Sequence, residues 1–63
     1  MFIMISYDVV DDRNRLKLMK LLKNYGTRVQ KSVFECHLSA EIYEKLKVSV
    51  EKIIDRKKDR VRY

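Results

Sequence analysis

The first ten residues form an almost unbroken apolar and aromatic run. From Phe2 onward, Ser6 is the one polar residue before a carboxylate at Asp8. A short continuous apolar run is typical of a strand that is buried on both faces, so we expect this strand to be central in its sheet. An acid at the carboxyl end of a strand, with Lys and Arg close behind it, is a common arrangement for holding a hard cation against a phosphate. The pattern therefore suggests a phosphate-handling site at Asp8.

Apolar residues at helical spacing come next. They are Leu18, Leu21, Leu22 and Tyr25, at i, i+3, i+4 and i+7. The lysines of this segment lie largely off that stripe, so we predict an amphipathic helix. Asp11 or Asp12 can cap its first turn, where an acid also suits the helix dipole. Gly26 is predicted to end the helix in the left-handed conformation that glycine adopts easily.

Residues 27–38 are β-branched and aromatic enough to form strand, but their alternation changes phase. Val29 and Val33 share one parity, whereas Phe34 and the apolar residues after it take the other. Such a change of face needs a bend, a bulge or a tight turn near residues 31–33. Because no turn motif marks the place, the pattern leaves open whether this is one kinked strand or a hairpin.

A second amphipathic helix is predicted after Ser39, which can serve as its N-cap. Its apolar stripe consists of Ile42, Leu46, Val50, Ile53 and Ile54. A charged loop at residues 55–59 leads to a last strand that begins at residue 60, and we expect this strand to be truncated. The order strand, helix, doubled strand, helix, strand predicts a single α+β domain over residues 1–63. It is typical of the ferredoxin-like βαββαβ sandwich, with two helices on one face of an antiparallel sheet.

The small size of the chain limits its core. A chain of 63 residues buries only about 60% of its unfolded surface. One Cys and one His exclude both an internal disulfide and a complete zinc site, so we expect oligomerisation to supply the missing stability. The lone thiol of Cys36 and the lack of an apolar stretch of about 18 residues indicate a cytoplasmic protein without a membrane segment.

Basic residues clearly outnumber acidic ones. Fifteen Lys and Arg against nine Asp and Glu give a formal net charge of +6. This excess favours a polyanionic partner, of which nucleic acid is the commonest. A solvated, lysine-rich surface is the alternative, and composition alone does not separate the two.

Three segments together resemble the motifs of one known family. They are Tyr7-Asp8-Val9 followed by Asp11-Asp12, the segment GTRVQKSVFE at residues 26–35, and DRVRY at residues 59–63. At these spacings the chain is similar, over essentially its whole length, to the small CRISPR adaptation proteins of the Cas2 family. The proline that is common after the first motif is Val10 here. Family members usually continue to a final strand that crosses to a partner subunit and completes its sheet.

The resemblance implies a function as well as a fold. Members of the family form homodimers that bind DNA and work with the CRISPR integrase (Cas1) to insert new spacers. Metal-dependent endonuclease activity on single-stranded RNA or double-stranded DNA is also attributed to them. By resemblance, Asp8 matches the catalytic aspartate that binds Mg²⁺ (or Mn²⁺) at the dimer axis, one from each protomer. Asp11 and Asp12 are expected to cap the helix instead.

Several residues near Asp8 are candidates for nucleic-acid binding. The candidate phosphate contacts are Arg13, Arg15, Lys17 and Arg28. Arg15 and Lys17 lie early in the first predicted helix, near the positive end of its dipole. Tyr7 and Phe34 are candidates for stacking on bases, and Phe34 is equally a candidate for the core or for a dimer interface.

Two alternatives to the adaptation role stay open at this point. The first keeps the fold and changes the role, to a toxin-type ribonuclease similar to the VapD-like interferases. The second is a catalytically inert nucleic-acid-binding module with a ferredoxin-like sheet, in which Asp8 is an ordinary strand-end aspartate.

Overall fold

One antiparallel sheet and two helices make up the computed structural model, which describes residues 1–63. The elements are β1 (Phe2–Asp8), α1 (Asp12–Lys23), β2 (Gly26–Gln30), β3 (Val33–His37), α2 (Ala40–Ile53) and β4 (Arg60–Arg62). The strands lie in the order β2-β3-β1-β4, and every neighbouring pair is antiparallel. This is the ferredoxin-like α+β arrangement that the sequence predicts. No helix is both long enough and apolar enough to cross a membrane.

The core lies between the two helices and one face of the sheet. Buried side chains alternate along β1, β3 supplies two more, and each helix contributes one apolar stripe. The fully buried members with the largest side chains are Phe34, Ile5, Leu18, Leu22, Leu46, Val9 and Val50. Both helices therefore cover the same face, and burial of their apolar stripes is what holds them to the sheet.

The opposite face of the sheet is open, which corrects the prediction that β1 is buried on both faces. β1 is central, with β3 on one side and β4 on the other. However, Phe2 is 54% exposed and Met4 is 45% exposed, because no helix covers the face on which they lie. A continuous apolar run thus marks a strand with an apolar but uncovered outer face.

Residues 26–37 form a hairpin, which settles the question that the pattern left open. A turn at Lys31 and Ser32 joins β2 to β3. The register shifts between Arg28 and Gln30, so Val29 lies at an irregularity that accounts for the change of phase. The Arg28 guanidinium closes the turn by donating to the Lys31 carbonyl at 2.7 and 3.1 Å.

The helix N-caps are the ones that the sequence predicts. The Asp11 carboxylate accepts from the backbone N–H of Arg13 at 2.8 Å and of Asn14 at 3.4 Å. The Ser39 hydroxyl accepts from the N–H of Ile42 at 3.2 Å. Each bond satisfies a donor that the first turn of a helix otherwise leaves free.

Gly26 does not play the predicted role of a left-handed helix end. The C-cap of α1 is Asn24, and the φ of Gly26 is not positive. Gly26 is the first residue of β2, directly opposite Cys36. A Cβ at this position would overlap the Glu35 carbonyl oxygen and lie 2.5 Å from the Cys36 Sγ. Close approach of the two strands, rather than backbone conformation, explains the glycine.

We therefore expect Gly26→Ala to lower the free energy of unfolding by about 1–3 kcal/mol, because a backbone carbonyl cannot move aside as a side chain can. Urea unfolding followed by circular dichroism measures the change. Thr27→Ala, at the exposed next position of the same strand, is the control and should cost less than about 1 kcal/mol. Equal losses in the two variants would contradict the close-approach explanation.

Candidate functional site

Asp8 lies at the carboxyl end of β1, and its side chain is exposed on the open face of the sheet. Two arginines of β4 lie across from it, because Asp8 pairs with Arg60 and Ser6 pairs with Arg62. These residues and Tyr7 line a shallow concavity of about 270 Å³. Within the chain, no ion pair and no side-chain hydrogen bond occupies the Asp8 carboxylate. The carboxylate is therefore free to bind a ligand.

A larger groove of about 500 Å³ lies on the other side of Asp8, between α1 and the β2–β3 turn. Its lining includes Tyr7, Asp8, Arg15 and Arg28, four of the residues that the sequence singles out. Asp8 belongs to both concavities and thus lies where they meet. Two further candidates, Arg13 and Lys17, are exposed on α1 and do not line this groove. The structure brings together two of the four predicted phosphate contacts.

The two groove arginines are held in place by backbone carbonyls. One Nη of Arg15 donates to the Val9 carbonyl at 2.8 Å, and the other contacts the Asp12 carboxylate. The two bonds from Arg28 to the Lys31 carbonyl fix its guanidinium in the same way. Because a guanidinium has five N–H donors, each keeps donors that can contact a phosphate.

Tyr7 lines the groove and is only 7% exposed. Burial raises the pKa of its hydroxyl, while the nearby charges of Arg28 and Arg15 act to lower that pKa. The net rise keeps the hydroxyl protonated at neutral pH, so Tyr7 presents a neutral hydrogen-bonding group.

The base-stacking hypothesis is wrong for Phe34 and is not supported for the ring of Tyr7. Phe34 is fully buried within its own chain and belongs to the core, which also removes it from any dimer interface. The Tyr7 ring stacks on Phe34 with their centroids 6.4 Å apart. Neither ring offers an uncovered face to a base.

A single chain can supply only part of a metal site. No cluster of three or more His, Cys, Asp or Glu side chains is placed to hold a metal ion. Asp11 caps α1 and Asp12 pairs with Arg15, as expected for acids in a first helical turn. Asp8 remains as one exposed carboxylate. Mg²⁺ is commonly held by one or two carboxylates, with waters and phosphate oxygens completing its shell, so Asp8 fits one half of such a site.

Asp59 lies next to this region, although no site role for it is predicted from the sequence. Its carboxylate accepts from the N–H of Val10 at 2.9 Å and from the N–H of Asp55 at 2.8 Å. These backbone hydrogen bonds hold the pKa of the Asp59 carboxyl below its usual value. The one sequence signal for Asp59 was its position at the head of the third motif.

Comparison with known proteins identifies the family. The family model described as CRISPR associated protein Cas2 matches residues 1–63. This chain belongs to the Cas2 family. The Cas2 assignment agrees with the position of the three motifs, which lie at the end of β1, in the β2–β3 hairpin and at the start of β4.

Similar Cas2 proteins come from several bacteria. An endoribonuclease Cas2 of Chloroflexus aurantiacus is 52% identical over 62 residues, which cover 98% of this chain and 67% of the relative. An endonuclease Cas2 of Thermus thermophilus is 45% identical over 58 residues, covering 92% of this chain and 64% of the relative. The chain thus spans about two thirds of the length of these curated relatives.

Solved structures show the same fold. This chain aligns with the crystal structure of Streptococcus pyogenes Cas2 with a TM-score of 0.92 at 34% identity. The alignment covers 98% of this chain and 81% of the Streptococcus chain. A hypothetical protein of Thermus thermophilus has a TM-score of 0.94 at 43% identity, covering 97% of this chain and 74% of that one.

Proposed function

We propose that this Cas2-family chain is a CRISPR adaptation protein that binds nucleic acid and acts as a partner of the CRISPR integrase in spacer acquisition. We propose further that it is a Mg²⁺-dependent endonuclease on single-stranded RNA or double-stranded DNA, with Asp8 as the catalytic metal ligand. The observation that carries this proposal is an exposed, unpaired carboxylate between two pairs of arginines, Arg15 with Arg28 and Arg60 with Arg62. The names endoribonuclease and endonuclease of the similar Cas2 proteins support it.

Asp8 would bind the metal together with its counterpart in a second copy of the chain. Two carboxylates related by a two-fold axis give the number of protein ligands that Mg²⁺ commonly takes. When bound, Mg²⁺ supplies a Lewis acid and lowers the pKa of a coordinated water. Asp8 would supply a negatively charged oxygen ligand at the strand end. The arginines on either side of it would attract the phosphates of the substrate.

The groove arginines would orient the nucleic-acid backbone. Arg15 and Arg28 are fixed by carbonyls before any substrate arrives, so little side-chain freedom is lost when a phosphate binds. The Tyr7 hydroxyl, protonated and beside both arginines, can hydrogen-bond a phosphate or sugar oxygen. Arg13 and Lys17 are exposed on α1, and for them the proposal is a longer-range contribution to phosphate attraction.

The open sheet face supports a homodimer. Phe2 and Met4 are exposed on the central strand, on the same face as Asp8. A small chain with a marginal core gains stability by covering such a surface. Contact with a second copy through this face would be self-complementary about a two-fold axis, as expected for a symmetric dimer. It would also place the two Asp8 carboxylates on facing surfaces.

The enzymatic part of the proposal predicts that cleavage needs both Mg²⁺ and Asp8. Asp8→Asn should reduce cleavage of labelled RNA or duplex DNA to the level seen with EDTA, because a neutral amide is a poor ligand for Mg²⁺. Glu44→Gln changes the net charge equally, at an exposed site on α2 away from the groove, and should retain wild-type cleavage.

Cleavage by Asp8→Asn at the wild-type rate would contradict the role of Asp8. Tight binding without cleavage by the wild-type chain would refute the nuclease and leave the integrase-partner role, which co-purification with the integrase of the same genome then tests. Growth arrest on expression, with an adjacent antitoxin gene, would instead favour the toxin-type alternative.

The binding part predicts a specific contribution from the groove. Arg28→Ala should weaken nucleic-acid binding about tenfold, or ~1.4 kcal/mol. It should also lower the slope of log binding constant against log salt concentration by the amount expected for about one lost phosphate contact. Fluorescence anisotropy over a range of salt concentrations measures both. Lys52→Ala, which removes an exposed charge from the last turn of α2, is the matched control. An equal effect of the two variants would indicate attraction to net charge alone.

The proposed dimer contact is tested by two further variants. Met4→Glu should give a monomer in size-exclusion chromatography with light scattering, because a charge would be buried at the face-to-face contact. Val48→Glu places the same charge at another exposed apolar position, on α2, and should remain dimeric. A dimeric Met4→Glu protein would place the contact elsewhere on the molecule.

A further inference from the structure

One peptide unit just beyond Asp8 is held at both of its polar ends. The carbonyl of Val9 accepts from the Arg15 guanidinium at 2.8 Å. The N–H of the same peptide, which belongs to Val10, donates to Asp59 at 2.9 Å. A donor from α1 and an acceptor from the loop before β4 thus hold the segment between β1 and α1. We call this arrangement, formed by Arg15, the Val9–Val10 peptide and Asp59, the peptide clamp.

Asp59 is well suited to act as a fixed acceptor. It is the one charged residue that is buried, at 7% exposure, and its second oxygen accepts from the N–H of Asp55 at 2.8 Å. Two backbone N–H donors therefore fix both carboxylate oxygens. They also lower the pKa of the group, so Asp59 remains an anion at neutral pH.

The clamp acts where the sheet ceases to hold the chain. Asp8 is the last residue of β1 and makes its strand pair with Arg60, the residue directly after Asp59. Val9 and Val10 have no strand partner. The clamp fixes the backbone here, together with the burial of the Val9 side chain in the core, and so sets the direction in which the chain leaves Asp8. A metal ligand must be held within about 0.5 Å of its productive position.

We propose that Asp59 is a positioning residue that fixes the Asp8 carboxylate through the Val9–Val10 peptide. The inference rests on the proposed function, in which Asp8 is the metal ligand. Asp59 itself binds neither metal nor substrate. It contributes order at the strand end, and its loss should weaken metal use more than nucleic-acid binding, which depends on the arginines.

The experiment compares Asp59→Ala and the milder Asp59→Asn with a control in the same loop. Asp55→Ala is that control, because the Asp55 side chain accepts only from the N–H of Lys57, and alanine keeps the backbone N–H that donates to Asp59. We expect Asp59→Ala to raise the Mg²⁺ concentration for half-maximal cleavage about tenfold, with a smaller change in the KM for nucleic acid. Asp59→Asn, which keeps one acceptor oxygen, should fall between Asp59→Ala and the wild type. Asp55→Ala should match the wild type.

A purely structural role would give a different result. Loss of activity without a shift in the Mg²⁺ requirement, or an equal shift in Asp55→Ala, would overturn the proposal. Because Asp59→Ala also removes a buried charge, its folded fraction is checked by circular dichroism. If it does not fold, Asp59→Asn decides the question by the same Mg²⁺ titration.

A second measurement separates this proposal from the function on which it rests. Amide ¹⁵N relaxation reports the order of Asp8 and Val9 in the absence of metal and substrate. The order parameters of these amides should be near the rigid value of about 0.85 in the wild type and in Asp55→Ala, and should fall in both Asp59 variants. If the wild type does not cleave, the proposed nuclease function fails. The relaxation measurement then tests by itself whether Asp59 orders the backbone at Asp8. Unchanged order at Asp8 in the Asp59 variants would refute that role.

Discussion

The alternation of side chains along β1 is the constraint on which the rest of the structure depends. Because successive residues of a strand point to opposite faces, Ile3, Ile5 and Tyr7 enter the core while Phe2 and Met4 remain outside. Asp8 points to the same open face as Phe2 and Met4. The strand that organises the core therefore also delivers a carboxylate to the open face, beside an apolar surface suited to a second copy. A shift of one residue in register would bury the acid and expose the core.

Charge is distributed around this strand end in a way that suits a phosphate ligand. Arg15 and Arg28 lie on the helix side of Asp8, and Arg60 and Arg62 of the neighbouring strand β4 lie on the open side. Asp8 lies between them without an ion pair. Because an exposed ion pair contributes little to stability, leaving this carboxylate unpaired costs the fold little and keeps its oxygens open to a ligand. The net charge of +6 extends the same attraction over the whole surface.

Local chemistry made much of this molecule predictable from its sequence. The element order follows from periodicity, and the caps Asp11 and Ser39 follow from rules that act within a few residues. The failures involve contacts between distant parts of the chain. Gly26 is required by the close approach of the Cys36 strand, and Asp59 binds the N–H of a residue 49 positions away. The open outer face of β1 is not predictable from its sequence, because a continuous apolar run is compatible both with a strand covered by helices and with one whose outer face is uncovered.

Anomalous diffraction from crystals grown with Mn²⁺ in place of Mg²⁺ would locate the proposed metal site directly. We expect a two-fold dimer packed through the open sheet faces, with one anomalous peak on the axis that Asp8 of each protomer coordinates. Ordered waters should complete an octahedral shell, as hard divalent cations of this kind prefer. A dimer formed through another surface, or a metal ion bound away from Asp8, would show that this strand-end carboxylate is not half of a shared metal site.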